Sequence, residues 1–265
     1  AGRLGNTVTI NGRVPETFEV VSGERIRLRL INAANARIFA LDFGDHTPRI
    51  IALDGQSVTP HNPSDGLVVL GPAMRVDVIL DCNGEPSARS QLVDRAYRGN
   101  DFRVLDFTYA ETALREATPD WPIALPASPI AEPDLSSAHR HEVTFTGGMM
   151  GMMHDGRGIW FVNGKAAQGH VLDPFLTLKR DASHILEMTN ATAFDHPIHL
   201  HGHSFRVISR NGAPTPHREW QDTVLMAPRE RVEIAFVADN LGDWMFHCHI
   251  LEHQAAGMMG VIRVA

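Results

Sequence analysis

Apolar residues recur at every second position over much of this chain. In Gly23-Glu-Arg-Ile-Arg-Leu-Arg-Leu30, Ile26, Leu28 and Leu30 point one way and Arg25, Arg27 and Arg29 the other, which is the period of a half-buried strand. Similar short runs recur at 49–53, 67–80, 102–109, 142–145, 185–188, 204–209 and 232–237, with Gly, Asn, Asp and Pro between them. No helical stripe of comparable length interrupts the series. Many short strands separated by turn residues predict an all-β protein built from sandwiches or barrels.

The stretch from about 116 to 138 breaks the pattern. It contains Thr118-Pro-Asp-Trp-Pro-Ile-Ala-Leu-Pro-Ala-Ser-Pro129 and then Pro133. Proline at this density cannot join a sheet interior, so the segment is expected to be an extended linker between a domain at 1–115 and a domain at 139–265. A chain of 265 residues suits two sandwiches. The two halves also repeat one another. Leu30-Ile-Asn32 followed by His46 and Asp54-Gly55 parallels Met188-Thr-Asn190 followed by His203 and Asn211-Gly212. Farther on, Pro72-Ala-Met-Arg-Val-Asp-Val78 parallels Pro228-Arg-Glu-Arg-Val-Glu-Ile234. Where the second half has His199 and His201, the first has Asp42 and Gly44, or their immediate neighbours.

Charge and cysteine content narrow the field. A formal net charge of -7 offers no basic face to nucleic acid, and no apolar run is long enough to span a bilayer as a helix. Two cysteines make no disulfide framework. Cys82, ending the run Val76-Asp-Val-Ile-Leu-Asp-Cys82, is expected to be a half-buried free thiol. The first residues carry neither the charge step nor the apolar core of a signal peptide, and they run straight into strand-like sequence, as if cut from something longer.

The candidate chemistry lies near the C-terminus. His196-Pro-Ile-His-Leu-His201 and His247-Cys-His249-Ile-Leu-Glu-His253, with Met258 behind, bring histidines, a cysteine and a methionine together. In a strand ending at Phe246-His-Cys-His-Ile250, His247 and His249 share one face and Cys248 faces the other. His199 and His201 likewise share a face, with His196 out of phase. Two metal environments therefore stand back to back. Cys248, His196, His253 and Met258 form one; His199, His201, His247 and His249 contribute to the second. One thiolate, two imidazoles and a thioether suit copper better than the closed tetrahedral site of structural zinc.

The pattern HPxHLHGH followed by HCHxxxHxxxxM resembles the multicopper oxidases over essentially the whole chain, specifically the second and third cupredoxin domains of a three-domain bacterial enzyme of the laccase and cuprous-oxidase type. The resemblance implies two cupredoxin-like Greek-key β-sandwich or barrel domains joined by the Pro-rich linker. It implies that His196, Cys248, His253 and axial Met258 are type 1 copper ligands. It makes His199 a type 2 ligand and His201, His247 and His249 type 3 ligands. Electrons from a phenol-like organic reductant or from Cu(I) would enter near an exposed His253 and pass through Cys248 to a trinuclear cluster that reduces O2 to water. An N-terminal cupredoxin domain would supply the remaining ligands, so the chain alone, holding half of the cluster, is not expected to reduce O2. Export to the periplasm is expected on the same ground.

His139-Arg-His141 has ligand spacing but leads into Glu142-Val-Thr-Phe, so it is taken as a strand start. Gln254 stands where many relatives carry an acidic residue. Met149, Met150, Met152 and Met153 in a glycine-rich stretch either offer thioethers to Cu(I) or pack as flexible side chains. His46 and His203, at matched positions, share a structural role. Asp195 and Asp222 either orient a ligand ring or occupy turns. Met259 should face away from the metal. The competing functions are a copper-binding cupredoxin scaffold without turnover and a copper nitrite reductase-like protein. The latter does not normally have a ligand histidine where His249 follows the cysteine.

Overall fold

The computed structural model describes residues 2–148, 159–167, 169 and 173–265. Its strands form four sheets. Two belong to the first half of the chain. One runs β1 (Thr17–Val20), β9 (Phe102–Tyr109), β8 (Arg89–Asp94), β3 (Phe39–Asp42), β6 (Leu67–Leu70) across its width; the other runs β2 (Glu24–Ile31), β7 (Arg75–Cys82), β4 (Arg49–Leu53), β5 (Gln56–His61). The second half has β12 (Leu176–Leu178), β20 (Met259–Val264), β19 (Gly242–Cys248), β14 (His196–Leu200), β17 (Thr223–Met226) in one sheet. The other contains β11 (Trp160–Val162), β10 (His139–Gly147), β13 (Ser183–Asn190), β18 (Arg231–Val237), β15 (Phe205–Arg210), β16 (Ala213–Gln221). The α-helix among the described residues is the short α1 (Leu251–Ala255). No helix of the described residues is long and apolar enough to cross a membrane.

The sheet orders of the two halves match strand for strand. β2-β7-β4-β5 becomes β13-β18-β15-β16, and β1-β9-β8-β3-β6 becomes β12-β20-β19-β14-β17, with β10 and β11 added at one edge. The many non-sequential neighbours are the crossovers of a Greek-key sandwich. Each half has its own core. Phe43, Val68, Val78, Leu80 and Phe107 fill the first; Phe145, Leu186, Phe205, Ile234 and Phe246 fill the second. In β2 the alternation read from sequence is realised. Arg25 lies opposite Asp81 and Arg29 opposite Asp77 on β7, while Ile26, Leu28 and Leu30 pack against the core.

The repeat extends to individual hydrogen bonds. The Asn32 amide donates to the carbonyls of Arg37 and Leu70, and its oxygen accepts from the Ala34 N–H. Asn190 does the same with Phe194, Ala227 and Thr192. The Asp54-Gly55 and Asn211-Gly212 pairs both have positive φ at each residue, as a two-residue hairpin turn requires.

The structure departs from the sequence pattern at two places. The run at 67–80 is two strands, because the chain turns between β6 and β7 with Ala73 at φ 71. Cys82 is fully buried, not half-buried, because β7 is paired on both sides and Cys82 belongs to the first core; burial pushes its thiol up to about 12.

Residues 116–138 contain no strand or helix and are tied to both halves. The guanidinium groups of Arg25 and Arg49 lie over the Trp121 ring, 4.7 Å and 4.6 Å from its centroid. The Ser57 hydroxyl donates to the Pro126 carbonyl, and Glu132 pairs with Arg206 and Arg218.

The twin asparagines yield a paired prediction. Asn32→Ala and Asn190→Ala each leave buried main-chain groups without their partner, so each should cost about 1–3 kcal/mol in urea unfolding. Asn190 should be the costlier, since it also accepts the Thr192 hydroxyl. A loss of less than about 0.5 kcal/mol at both, well below the cost of an unmet buried group, would show that these bonds do not hold the turns.

Candidate metal centre

β14 and β19 are antiparallel neighbours, with Ile198 opposite Cys248, His199 opposite His247 and Leu200 opposite Phe246. Strand pleating then sends His196, Ile198, Leu200, Phe246 and Cys248 into the core and His199 and His247 to the other face. Just past β19 the chain turns into α1 and returns as β20. The Cys248 N–H donates to the Met258 carbonyl and the Met258 N–H to the His253 carbonyl, which closes this loop.

The core-facing group is compact. Cys248 Sγ lies 3.6 Å from His196 Nδ1 and 3.6 Å from His253 Nδ1, and the two Nδ1 atoms are 3.1 Å apart. Cys248 and His196 have no exposed surface, and His253 has 2%. The plane of these atoms contains a point roughly 2 Å from each, close to metal–imidazole bond lengths. Among the described residues no other group of His, Cys, Asp or Glu converges in this way.

Local hydrogen bonds present the correct ring atom. The Thr192 hydroxyl donates to Asn190 Oδ1 (2.8 Å), so it accepts from His196 Nε2 (2.8 Å), which leaves the Nδ1 lone pair free. Burial pushes His196 down to about 3 and His253 down to about 4, keeping both rings neutral. Burial pushes the Cys248 thiol up. Two neutral imidazoles and a thiol that ionises only beside a cation fit a type 1 copper site. Met258 is fully buried in the same core. The Met259 sulfur instead meets the Gln254 amide at 3.8 Å, which turns it away.

The second group lies across the sheet. His199 is 4.7 Å from His201, 5.6 Å from His247 and 5.9 Å from His249 between ring centroids. His201 Nε2 and His247 Nε2 are 3.0 Å apart. Neutral oxygens set the tautomers: His199 Nδ1 donates toward Asp222 O (2.9 Å) and Thr223 Oγ1 (3.0 Å), and His247 Nδ1 donates to Cys248 O (2.9 Å). Their Nε2 atoms are left as lone-pair donors. Burial lowers His247 to about 4 and also lowers His201 and His249.

Other candidates fall elsewhere. Of the two acidic residues, Asp222 orients His199, but Asp195 makes no bond to His196. The ring is held by Thr192, a residue whose role is encoded only in the turn that follows Asn190. His253 is buried where an exposed ring was expected, because Trp160 lies over it at 4.4 Å and Phe194 at 6.4 Å. His139 begins β10, and His141 meets His184 at 3.0 Å, away from both groups. His46 bonds Tyr109 and Phe43, and His203 packs on Phe236 and Trp244, so both are structural. Met149, Met150, Met152 and Met153 lie outside the described residues.

Two family models, both described as multicopper oxidase, match residues 137–265 and 2–100. The multicopper oxidase MmcO of Mycobacterium tuberculosis is 31% identical over 264 residues, covering 94% of this chain and 49% of that protein. Among solved structures, a multi-copper oxidase from Pseudomonas thermotolerans matches with a TM-score of 0.85 at 32% identity, over 98% of this chain and 60% of that one. A Campylobacter jejuni multicopper oxidase, described as a metallo-oxidase, matches with a TM-score of 0.79 at 26% identity, over 99% and 58%. The chain thus spans about half the length of the curated relatives it matches.

Thr192→Val tests the local geometry. It keeps the side chain's shape but removes the acceptor for His196 Nε2. Such supporting bonds are worth about 10–100-fold in metal affinity, so copper should bind weaker by that factor in competition with a chelator, while the blue colour remains. Unchanged affinity would mean that packing alone holds the ring.

Proposed function

The chain belongs to the multicopper oxidase family, and from that premise we propose that it is the electron-accepting part of an O2-reducing copper oxidase. His196, Cys248 and His253, with the thioether of Met258, would hold a type 1 copper. His199 would serve a type 2 ion, and His201, His247 and His249 would serve type 3 ions, with the remaining ligands supplied from outside these residues. The observation that carries the proposal is the covalent continuity of Cys248 with His247 and His249, which stand in the other group. Copper, when bound, supplies one-electron reduction and reoxidation; the chain supplies geometry and insulation.

The protein's own contribution is specific. Trp160, Phe194 and the core exclude water from the Cys248 side. The Cys248 carbonyl accepts the His247 Nδ1 hydrogen, adding a hydrogen-bonded path beside the covalent one. The tautomers of His196, His199 and His247 are fixed by neutral acceptors, so their lone pairs are set before a metal arrives. Gln254 cannot titrate, so proton delivery must use another group.

The reductant is an organic phenol-like molecule or Cu(I). The burial of His253 beneath Trp160 favours a small donor over a bulky phenol in contact with the ring.

Cys248→Ser should abolish the intense blue band while far-UV circular dichroism stays the same, because only the thiolate gives that colour. A variant that stays blue would remove Cys248 from the site. Met258→Leu should keep the colour and raise the reduction potential, since loss of a weak thioether donor favours Cu(I). Met259→Leu should do little, and a larger shift there than at Met258 would overturn the choice of Met258 as the thioether donor.

A further inference from the structure

The first half of the chain, without ligands of its own, touches the second beside His199. The hairpin turn at Asp54-Gly55 and its twin at Asn211-Gly212 do one job in common. Asp54 Oδ1 accepts the Arg75 N–H at 2.9 Å, and Asn211 Oδ1 accepts the Arg231 N–H at 2.9 Å. A neutral amide suffices for that in the second copy. In the first copy the residue is a carboxylate, and its other oxygen crosses to the second half. Asp54 Oδ2 accepts the main-chain N–H of Asp222 (2.9 Å) and of Thr223 (3.0 Å).

Arg75 completes the crossing. Its guanidinium grips the Asp222 carboxylate with two prongs, Nη1 to Oδ1 at 2.8 Å and Nη2 to Oδ2 at 2.6 Å. It is braced from behind by the carbonyls of Ala73 and Asp54. On the far side, His199 Nδ1 faces two acceptors, the Asp222 carbonyl at 2.9 Å and Thr223 Oγ1 at 3.0 Å, and the Thr223 hydroxyl in turn donates to Asp222 Oδ1 at 2.8 Å, itself 3.5 Å from the ring nitrogen, so the gripped carboxylate reaches the ring through Thr223. Planar two-pronged geometry and a braced fork are what arginine offers and lysine does not.

We propose that Arg75, backed by Asp54, is a positioning residue for His199: the ligand-free domain fixes the tautomer and direction of a metal-binding ring in its neighbour. The importance of that ring rests on the copper reading above, but its orientation is a property of the metal-free chain. If Arg75 served only to clamp the two halves together, its loss would loosen them generally. If it acts through Asp222, the effect is confined to His199.

The test is imidazole nitrogen NMR on the metal-free 265-residue chain at one fixed pH, comparing wild type, Arg75→Met and Arg75→Lys. Wild type should show His199 as one tautomer with the hydrogen on Nδ1. In Arg75→Met the two tautomers should approach comparable populations, while His196, held by Thr192, keeps its signals. Arg75→Lys, which keeps the charge but not the fork, should fall between, and it decides the matter alone if the methionine variant does not fold. Unchanged His199 signals in the folded variants would overturn the proposal, and so would His196 moving as far as His199. The blue band of the copper-loaded wild type is scored separately. Its absence would sink the copper reading and leave the NMR result standing, and the converse also holds.

Discussion

The pairing register of β14 against β19 is the constraint on which both metal groups depend. A strand's side chains alternate between faces, so a one-residue slip would exchange every core position for a solvent one. With Ile198 opposite Cys248 and His199 opposite His247, the thiol enters the core beside His196 while the neighbouring imidazoles emerge on the other face. What holds this register is ordinary apolar packing. Ile198, Leu200 and Phe246 are essentially fully buried, and a slip would expose all of them at once.

The same register in the ligand-free half shows what makes the difference. β3 pairs β8 with Leu41 opposite Asp94 and Asp42 opposite Val93, the counterparts of Ile198–Cys248 and His199–His247. Asp94 therefore stands in the place of Cys248, and Phe39, by its pairing with Leu70, in the place of His196. Asp94 accepts the N–H groups of Ala40 and Ala96. One backbone frame thus carries either a convergent His-Cys-His group or a plain structural carboxylate, and the choice is made by a handful of side chains.

Much of this was legible in the sequence because it follows from period and spacing. Alternation around Cys248 separated the two groups of histidines, and turn residues at fixed intervals exposed the repeat. Some short strands are hidden locally; in β16, Pro214, Pro216 and several charged residues blur the alternation. The rest depends on contacts between distant residues. Asp195 is nearer than Thr192 to His196 in sequence, yet the Thr192 hydroxyl is the group that meets the ring, since nearness in sequence says nothing about which side chain faces it. The burial of His253 comes from Trp160, nearly a hundred positions away. The Arg75–Asp222 contact joins the two halves, and no local pattern could announce it.

The loop that carries His253 is seated on the ligand-free half. The Asn35 carbonyl accepts the Leu251 N–H at the start of α1, and Ala36 is part of the same buried cluster as Cys248, Ile250 and Met258. At Gly71 an added Cβ would come within 3.1 Å of the Pro197 side chain, next to His196. The first half thus forms part of the floor beneath the group of His196, Cys248 and His253, so a change of shape at Asn35, Ala36 or Gly71, none of which belongs to that group, is transmitted directly to it.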